Sequence, residues 1–209
     1  MVKIELLNQR SLARGVKTLA AKDEHLAWIL ETLGPPPMWE REPGFPTLVH
    51  IILEQQVSLA SAKAAFDRLH AAISPISPER FLTLDDAELR TIGFSRQKTL
   101  YCRLLAQALL DGQLDLNNLH AMNDHEARAV MKQLKGIGDW TVDIYLLMAL
   151  RRPDVWPKGD LALAVAMQEL KGMKARPTPD ELEMMAESWK PRRAIAARML
   201  WHFYLSGRR

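Results

Sequence analysis

Cysteine is nearly absent from this chain: Cys102 is the only one among 209 residues. A single thiol excludes a disulfide framework, a multi-cysteine zinc site and a four-cysteine iron–sulfur cluster, and it fits a reducing, intracellular compartment. Long apolar runs are missing too. The opening MVKIELLNQRSLARGVKTLAAK holds nothing suited to a signal peptide, and no segment approaches the ~20 apolar residues of a membrane helix. A soluble protein with no membrane partner is expected. The histidines, His25, His50, His70, His120, His125 and His202, include no pair four residues apart. Asp139 and Asp143 lie one helical turn apart without a third carboxylate, a spacing that reads as an exposed helix face. A divalent-metal nuclease therefore has little support. Internal repeats, low-complexity tracts and period-two alternation over a strand length are also lacking.

What is present begins with the placement of charge. The formal total of +3 is too small to imply a polyanionic partner by itself. From Ser188 onward, however, Lys190, Arg192, Arg193, Arg198, Arg208 and Arg209 face no acidic residue, and the first 22 residues hold five Lys or Arg against Glu5 alone. Two basic ends fit a chain whose termini lie together along a polyanion, or else ordinary solvated faces and helix C-termini.

Helix signals are dense. Asp23 caps EHLAWILETL, which stops at Gly34 and PPP; Ser58 caps LASAKAAFDRLHAAI; Thr83 opens LDDAELRTI and Gly93 closes it; Ser95 opens RQKTLYCRLLAQALLD. Asn123 with Glu126, and Thr178 with Glu181, have capping-box spacing. The pattern predicts an all-α protein of about ten helices joined by short loops. The proline-rich GPPPMWEREPGFP, residues 34 to 46, is where the chain is expected to pass between two lobes.

One short stretch resists a purely structural account. In LKGIGDWTVD, residues 134 to 143, Gly136 and Gly138 flank Ile137 and a new helix starts at once. Glycines here permit positive φ and close backbone approach, while Ile137 plugs the core. Their amides, with the first turn of the next helix, then form an anion seat that carries no sequence readout.

Four blocks, in this order, resemble the helix-hairpin-helix/Gly-Pro-Asp superfamily of base-excision DNA glycosylases, in particular the 3-methyladenine DNA glycosylase II (alkylpurine) type. They are LVHIILEQQVSLASAKAAFDRL, the hairpin LKGIGDWTVD, DVWPKGDLALAVAMQEL and ESWKPRRAIAARMLWHFY, spanning about residues 45 to 205. The resemblance implies a two-lobed fold, with residues 46–145 forming a middle lobe that holds the hairpin. Residues 1–45 and 146–209 would form the second lobe, and Asp160 would lie at the cleft. Asp160 takes the place of the family's essential aspartate. Trp140 stands where lyase-competent branches carry a nucleophilic lysine, which implies a monofunctional enzyme without lyase activity.

The remaining roles implied are softer. Gln55 belongs to the base pocket, while Gln56 and Ser58 contact DNA; a polar Gln56 departs from relatives that use an apolar wedge there. Relatives place aromatics where this chain has Ile144, Leu161 and Arg192, so Trp140, Tyr145, Trp39 and Met38 would line a differently shaped pocket. Lys135, Gly136, Ile137, Gly138, Thr141, Arg192 and Arg193 would meet the DNA backbone. The main-chain carbonyls of Lys132, Leu134 and Ile137 would hold a structural Na+ or K+, with no other cofactor required. Asp139 would turn aside from a nearby phosphate.

N-glycosidic cleavage builds positive charge on the sugar, which one ionised carboxylate stabilises while orienting water. An alkylated purine already carries positive charge, so it leaves without a general acid. The expected function is hydrolytic release of alkylated purines flipped from double-stranded DNA, by a monomer in the bacterial cytoplasm or a eukaryotic nucleus. The competing reading is a non-catalytic DNA-binding module in which Asp160 is only a helix cap; a lyase-competent glycosylase is a weaker third.

Overall fold

Most helix starts in this protein are set by side chains that accept the first free amides; α-helical starts after Gly44 and Arg192 have no such cap. The structure, a computed structural model, describes residues 6–207. Arg208, Arg209 and Glu5 of the two basic ends, with Lys3, lie outside them. The helices are α1 (Gln9–Ala20), α2 (Glu24–Leu33), α3 (Phe45–Glu54), α4 (Leu59–Ala72), α5 (Pro78–Thr83), α6 (Asp86–Ile92), α7 (Arg96–Leu110), α8 (Asp124–Met131), α9 (Asp139–Met148), α10 (Leu161–Leu170), α11 (Pro179–Ala186) and α12 (Arg193–Ser206). Single 3-10 turns occupy Asn118–His120 and Glu187–Trp189. No strand occurs among the described residues, as the missing alternation predicts.

Asp23, Ser58 and Ser95 each accept an amide of the helix they precede, and Asn123/Glu126 and Thr178/Glu181 close reciprocal capping boxes. Thr83 does not open a helix. It ends α5, and Asp85 caps α6 in a box with Glu88, because the carboxylate reaches two amides at once. No described helix is long and apolar enough to cross a membrane.

Contacts divide the chain into two compact units, Met1–Glu40 with Leu146–Arg209, and Arg41–Tyr145. In the first, α12 packs on α10, α2 and α1. Its run Ala194–Trp201 is buried on every side, and residues such as Ile195, Met199 and Leu200 each contribute about 1.5–3 kcal/mol by leaving water. In the second unit α3 lies on α4 and α7, and α5 on α7, around Leu48, Ile52, Leu69 and Phe81.

Two charge readings change. Asp143 is not on an exposed face: it is buried and paired with Arg128, while Asp139 is exposed and bonds Lys132 Nζ at 2.6 Å. Of the basic C-terminal residues, Arg198 is wholly buried, Lys190 pairs with Glu187, and Arg193 is held by Asp154. An ordinary stripe of solvated cations would not be so engaged.

Candidate active site

The hairpin is built by short turns and one close approach. After α8 the amides of Gln133, Leu134 and Ile137 bond the carbonyls of Val130, Met131 and Leu134 in succession. Gly136 has φ +96°, and a Cβ there would meet the Tyr101 ring at 2.1 Å, so the ring packs on bare backbone. Ile137 is buried at 4% exposure, as its position between the glycines predicts. Gly138 has no neighbour where its Cβ would stand, and its carbonyl accepts the first bond of α9 from Val142. Gly138 and Lys135 are exposed, at the start of a ten-residue helix whose N-terminal amides and dipole favour an anion.

Gln55 locks this turn. Its Nε2 donates to the Gly136 carbonyl and to the Thr141 hydroxyl, both at 2.9 Å, and Thr141 is itself buried. Both residues therefore hold the hairpin together. Removing the amide would strand buried acceptors at about 1–3 kcal/mol. Lys98 Nζ caps the end of α3 on the Leu53 carbonyl at 2.6 Å, and its partial burial holds its amine below the usual lysine range.

Beyond Gln55 the chain turns sharply. Gln56 is exposed at φ +57°, a conformation that costs a side-chain-bearing residue about 1–3 kcal/mol and gathers at functional turns. Sequence reasoning named Gln56 and Ser58 here as DNA contacts. The structure adds Val57 and Leu59, 46% and 58% exposed, so the turn presents apolar surface as well. Ser58 caps α4 by accepting the Ser61 amide.

Asp160 precedes α10. Only 8% exposed, it accepts the Leu163 amide at 3.0 Å and the Trp201 indole N–H at 3.1 Å on the same oxygen, Oδ1. It is thus a helix cap, and also a carboxylate whose rotation two donors fix. It borders a cavity of about 150 Å³, together with Gly159, Leu161, Ala164 and Arg176. That volume lies below the ~300–1,000 Å³ usual for sites that bury drug-sized ligands.

Trp39 and Trp201 meet edge to face, centroids 6.5 Å apart, and Trp39 contacts the His202 ring similarly. Trp39 and Trp140 are partly exposed, while Met38 is buried. Tyr145 is fully buried; its hydroxyl accepts the Gly44 amide, and burial raises its pKa to about 12. Met38 and Tyr145, expected in a base pocket, are thus packed as core residues.

Arg192 sits at the N-cap position of α12, partly exposed. Arg193, expected on DNA, instead forks onto Asp154 through Nε and Nη2 and approaches Glu187. The planar guanidinium suits that bidentate hold, which makes Arg193 part of the scaffold. Trp201, Tyr101 and Arg176 escaped sequence reasoning. Trp201 lay within a quoted block, but nothing local reveals a partner 41 residues away, and Tyr101 gave no signal.

No group of three His, Cys, Asp or Glu that could hold a metal occurs among the described residues. The carbonyl oxygens at Lys132, Leu134 and Ile137 are hard donors of the kind a monovalent cation takes, and the Leu134 oxygen already accepts the Ile137 amide with one of its two lone pairs.

Comparison with known proteins places these features. The HhH-GPD superfamily base excision DNA repair protein profile matches residues 49–192, from α3 to the threshold of α12. The chain is 26% identical to the alkylbase DNA glycosidase-like protein mag2 of Schizosaccharomyces pombe over 196 residues, covering 90% of this chain and 92% of the relative. It is 27% identical to DNA-3-methyladenine glycosylase 1 of the same yeast over 198 residues, 91% of this chain and 87% of that one. The solved S. pombe 3-methyladenine DNA glycosylase in complex with abasic DNA superposes with a TM-score of 0.84 at 24% identity, covering 94% and 97% of the two chains. With the profile spanning more than half its length and the hairpin and aspartate inside the match, the chain belongs to the HhH-GPD superfamily of base excision DNA repair proteins.

Proposed function

We propose that this protein is a monofunctional DNA glycosylase that hydrolyses the N-glycosidic bond of alkylated purines, of the 3-methyladenine and 7-methylguanine class, in double-stranded DNA. The observation that carries the reading is Asp160: a buried carboxylate, held at one oxygen by Leu163 and Trp201, beside a cavity within the family match. Placed at C1′, its negative charge stabilises the sugar as the bond to the base breaks and orients the incoming water. The bonding pair moves onto the cationic alkylated base, which departs neutral and leaves the positive charge on the sugar, so no protonating group is required. Relatives named as 3-methyladenine glycosylases support the substrate class.

DNA is the partner, gripped at its phosphates by the exposed amides of Gly138 and the start of α9, with Lys135 adding charge and Gln56 at its own turn. A monovalent cation on the hairpin carbonyls would offset phosphate repulsion, and no other cofactor is required. With Trp140 in place of a lysine, no Schiff base forms, and borohydride leaves no covalent adduct with abasic DNA. The protein acts as a monomer, in the bacterial cytoplasm or a eukaryotic nucleus.

Asp160→Asn tests the assignment, because asparagine's Oδ1 can accept the Leu163 and Trp201 donors while the side chain loses its charge. The expected outcome is an unchanged melting temperature and abasic-DNA affinity, with base release from methylated DNA falling by about 10²–10³ or more. A variant that still releases bases would leave Asp160 as a cap in a DNA-binding module.

A further inference from the structure

Among the described residues, Arg198 is, with Arg152, one of two wholly buried arginines in the core of its unit. A guanidinium with no measurable exposure, it forms no ion pair with a carboxylate among the described residues. Its partners are neutral carbonyls: Nε donates to Met38 at 2.8 Å, Nη2 to Leu147 at 2.9 Å and Nη1 to Ala194 at 3.0 Å. Burial pulls its pKa down to about 10, against the opposing charge of Glu40, so it stays protonated at neutral pH. Apolar side chains fill such positions at less cost than a buried charge. Packing alone does not account for an arginine here.

The grip on Met38 has a consequence one residue along. Trp39 is held at φ +46°, a backbone state that a side-chain-bearing residue leaves unless its neighbours are fixed. In that state its ring abuts Trp201 edge to face. Trp201, three residues beyond Arg198 on α12 and on the same face, donates its N–H to Asp160 Oδ1. The contacts run without a gap from Arg198 through Met38, Trp39 and Trp201 to the carboxylate, and all lie within one compact unit.

We propose that Arg198 is a positioning residue for base release: by clamping the Met38 and Leu147 carbonyls it holds Trp39 against Trp201, and so aims the indole N–H that fixes the Asp160 carboxylate. The inference rests on the reading of Asp160 as the charge-stabilising group. Lysine keeps the charge at 198 but has no planar fork to span two separate carbonyls. Its ammonium cannot hold Met38 and Leu147 together in the same geometry.

The test is single-turnover base release from N-methylated duplex DNA with enzyme in excess, alongside affinity for a duplex carrying a tetrahydrofuran abasic analogue. The rate constant in this regime does not depend on how much of a preparation is active, so a mere loss of folded protein leaves it unmoved. Arg198→Lys is expected to slow release about tenfold or more, within the hundredfold that a misplacement of about 1 Å can cost, with analogue affinity changed less than about threefold. Trp201→Phe removes the N–H directly and should slow release likewise. The double variant should be no slower than Trp201→Phe alone, because both changes act through one bond.

Should Arg198→Lys fail to fold, Trp39→Gly decides, since glycine accepts the φ and deletes only the ring. A wild-type rate constant in Arg198→Lys, or in Trp39→Gly where the lysine variant is unfolded, overturns the proposal. So does a double variant whose losses multiply. Asp160→Asn separates the two layers. If it retains base release, the reading of Asp160 itself fails; if it abolishes release while Arg198→Lys and Trp39→Gly match wild type, only the positioning role falls.

Discussion

Replacing each hairpin glycine by alanine should give opposite results two residues apart. At Gly136 the new Cβ would stand 2.1 Å from the Tyr101 ring, well inside the 3.5–4.0 Å of a normal carbon contact. Relief requires a shift of ring or backbone at about 1–3 kcal/mol. Alanine at φ +96° adds about 1–2 kcal/mol of local strain. The stiffer unfolded chain returns only about 0.4–1 kcal/mol. The net loss is roughly 1–5 kcal/mol, or a fall in Tm of about 2–20 °C at about 2–4 °C per kcal/mol for a chain of this size. At Gly138 nothing lies within 4 Å and no positive φ is required, so Gly138→Ala should stay within about 1 kcal/mol. Its methyl group would instead stand over the exposed amides and weaken binding to abasic duplex DNA. Thermal melts and fluorescence anisotropy on the two variants decide the matter. Equal melting temperatures, or a Gly136→Ala loss that Tyr101→Ala does not partly rescue, would refute the steric account.

Two further outcomes follow from buried groups. Cys102 is fully buried and its thiol is pushed well above the usual range, chiefly by that burial, so iodoacetamide should modify it only after denaturant unfolds the protein. Labelling of native protein within minutes would contradict the packing of α7. Burial also holds the His50 imidazole below its ordinary value of 6.5; Arg41 and Lys63 push the same way, and Glu54 and Asp67 oppose. The unfolded chain then binds this proton more readily than the folded one, so the stability from neutral His50 is complete above pH 6.5 and drains away as pH falls below it. One proton sets a ceiling of about 1.4 kcal/mol per pH unit. Urea titrations at pH 7.5 and 5.5 should show His50→Gln losing less stability on acidification than the parent; identical losses would clear His50 of the effect.

The helices were legible because their determinants are local. Asp23, Ser58, Ser95, Asn123 and Thr178 each sit one residue before the helix they start, and their bonds reach no further than the third residue on. The misreading at Thr83 has the same origin: with Thr83 and Asp85 two residues apart, the string does not say which oxygen finds a free amide. The hairpin and Asp160 could be picked out by motif spacing. What stayed hidden depends on long-range partners: Trp201 on Asp160, Gln55 on Gly136, Arg198 on Met38 and Asp143 on Arg128. Each looks like a common surface or core residue until the chain folds back upon it. The loss of Arg193 to Asp154 belongs here too, since a basic run reads the same whether its charges meet solvent or a carboxylate 39 residues away.

Because the Leu163 amide and the Trp201 indole meet one oxygen of Asp160, an amide side chain could keep those two bonds while shedding the charge. Exchanging the other oxygen for nitrogen would silence chemistry and keep both of those bonds. Such a protein would dwell on a lesion it could not excise, and immobilised on a resin it would serve as a reagent for fishing damaged fragments out of sheared genomes.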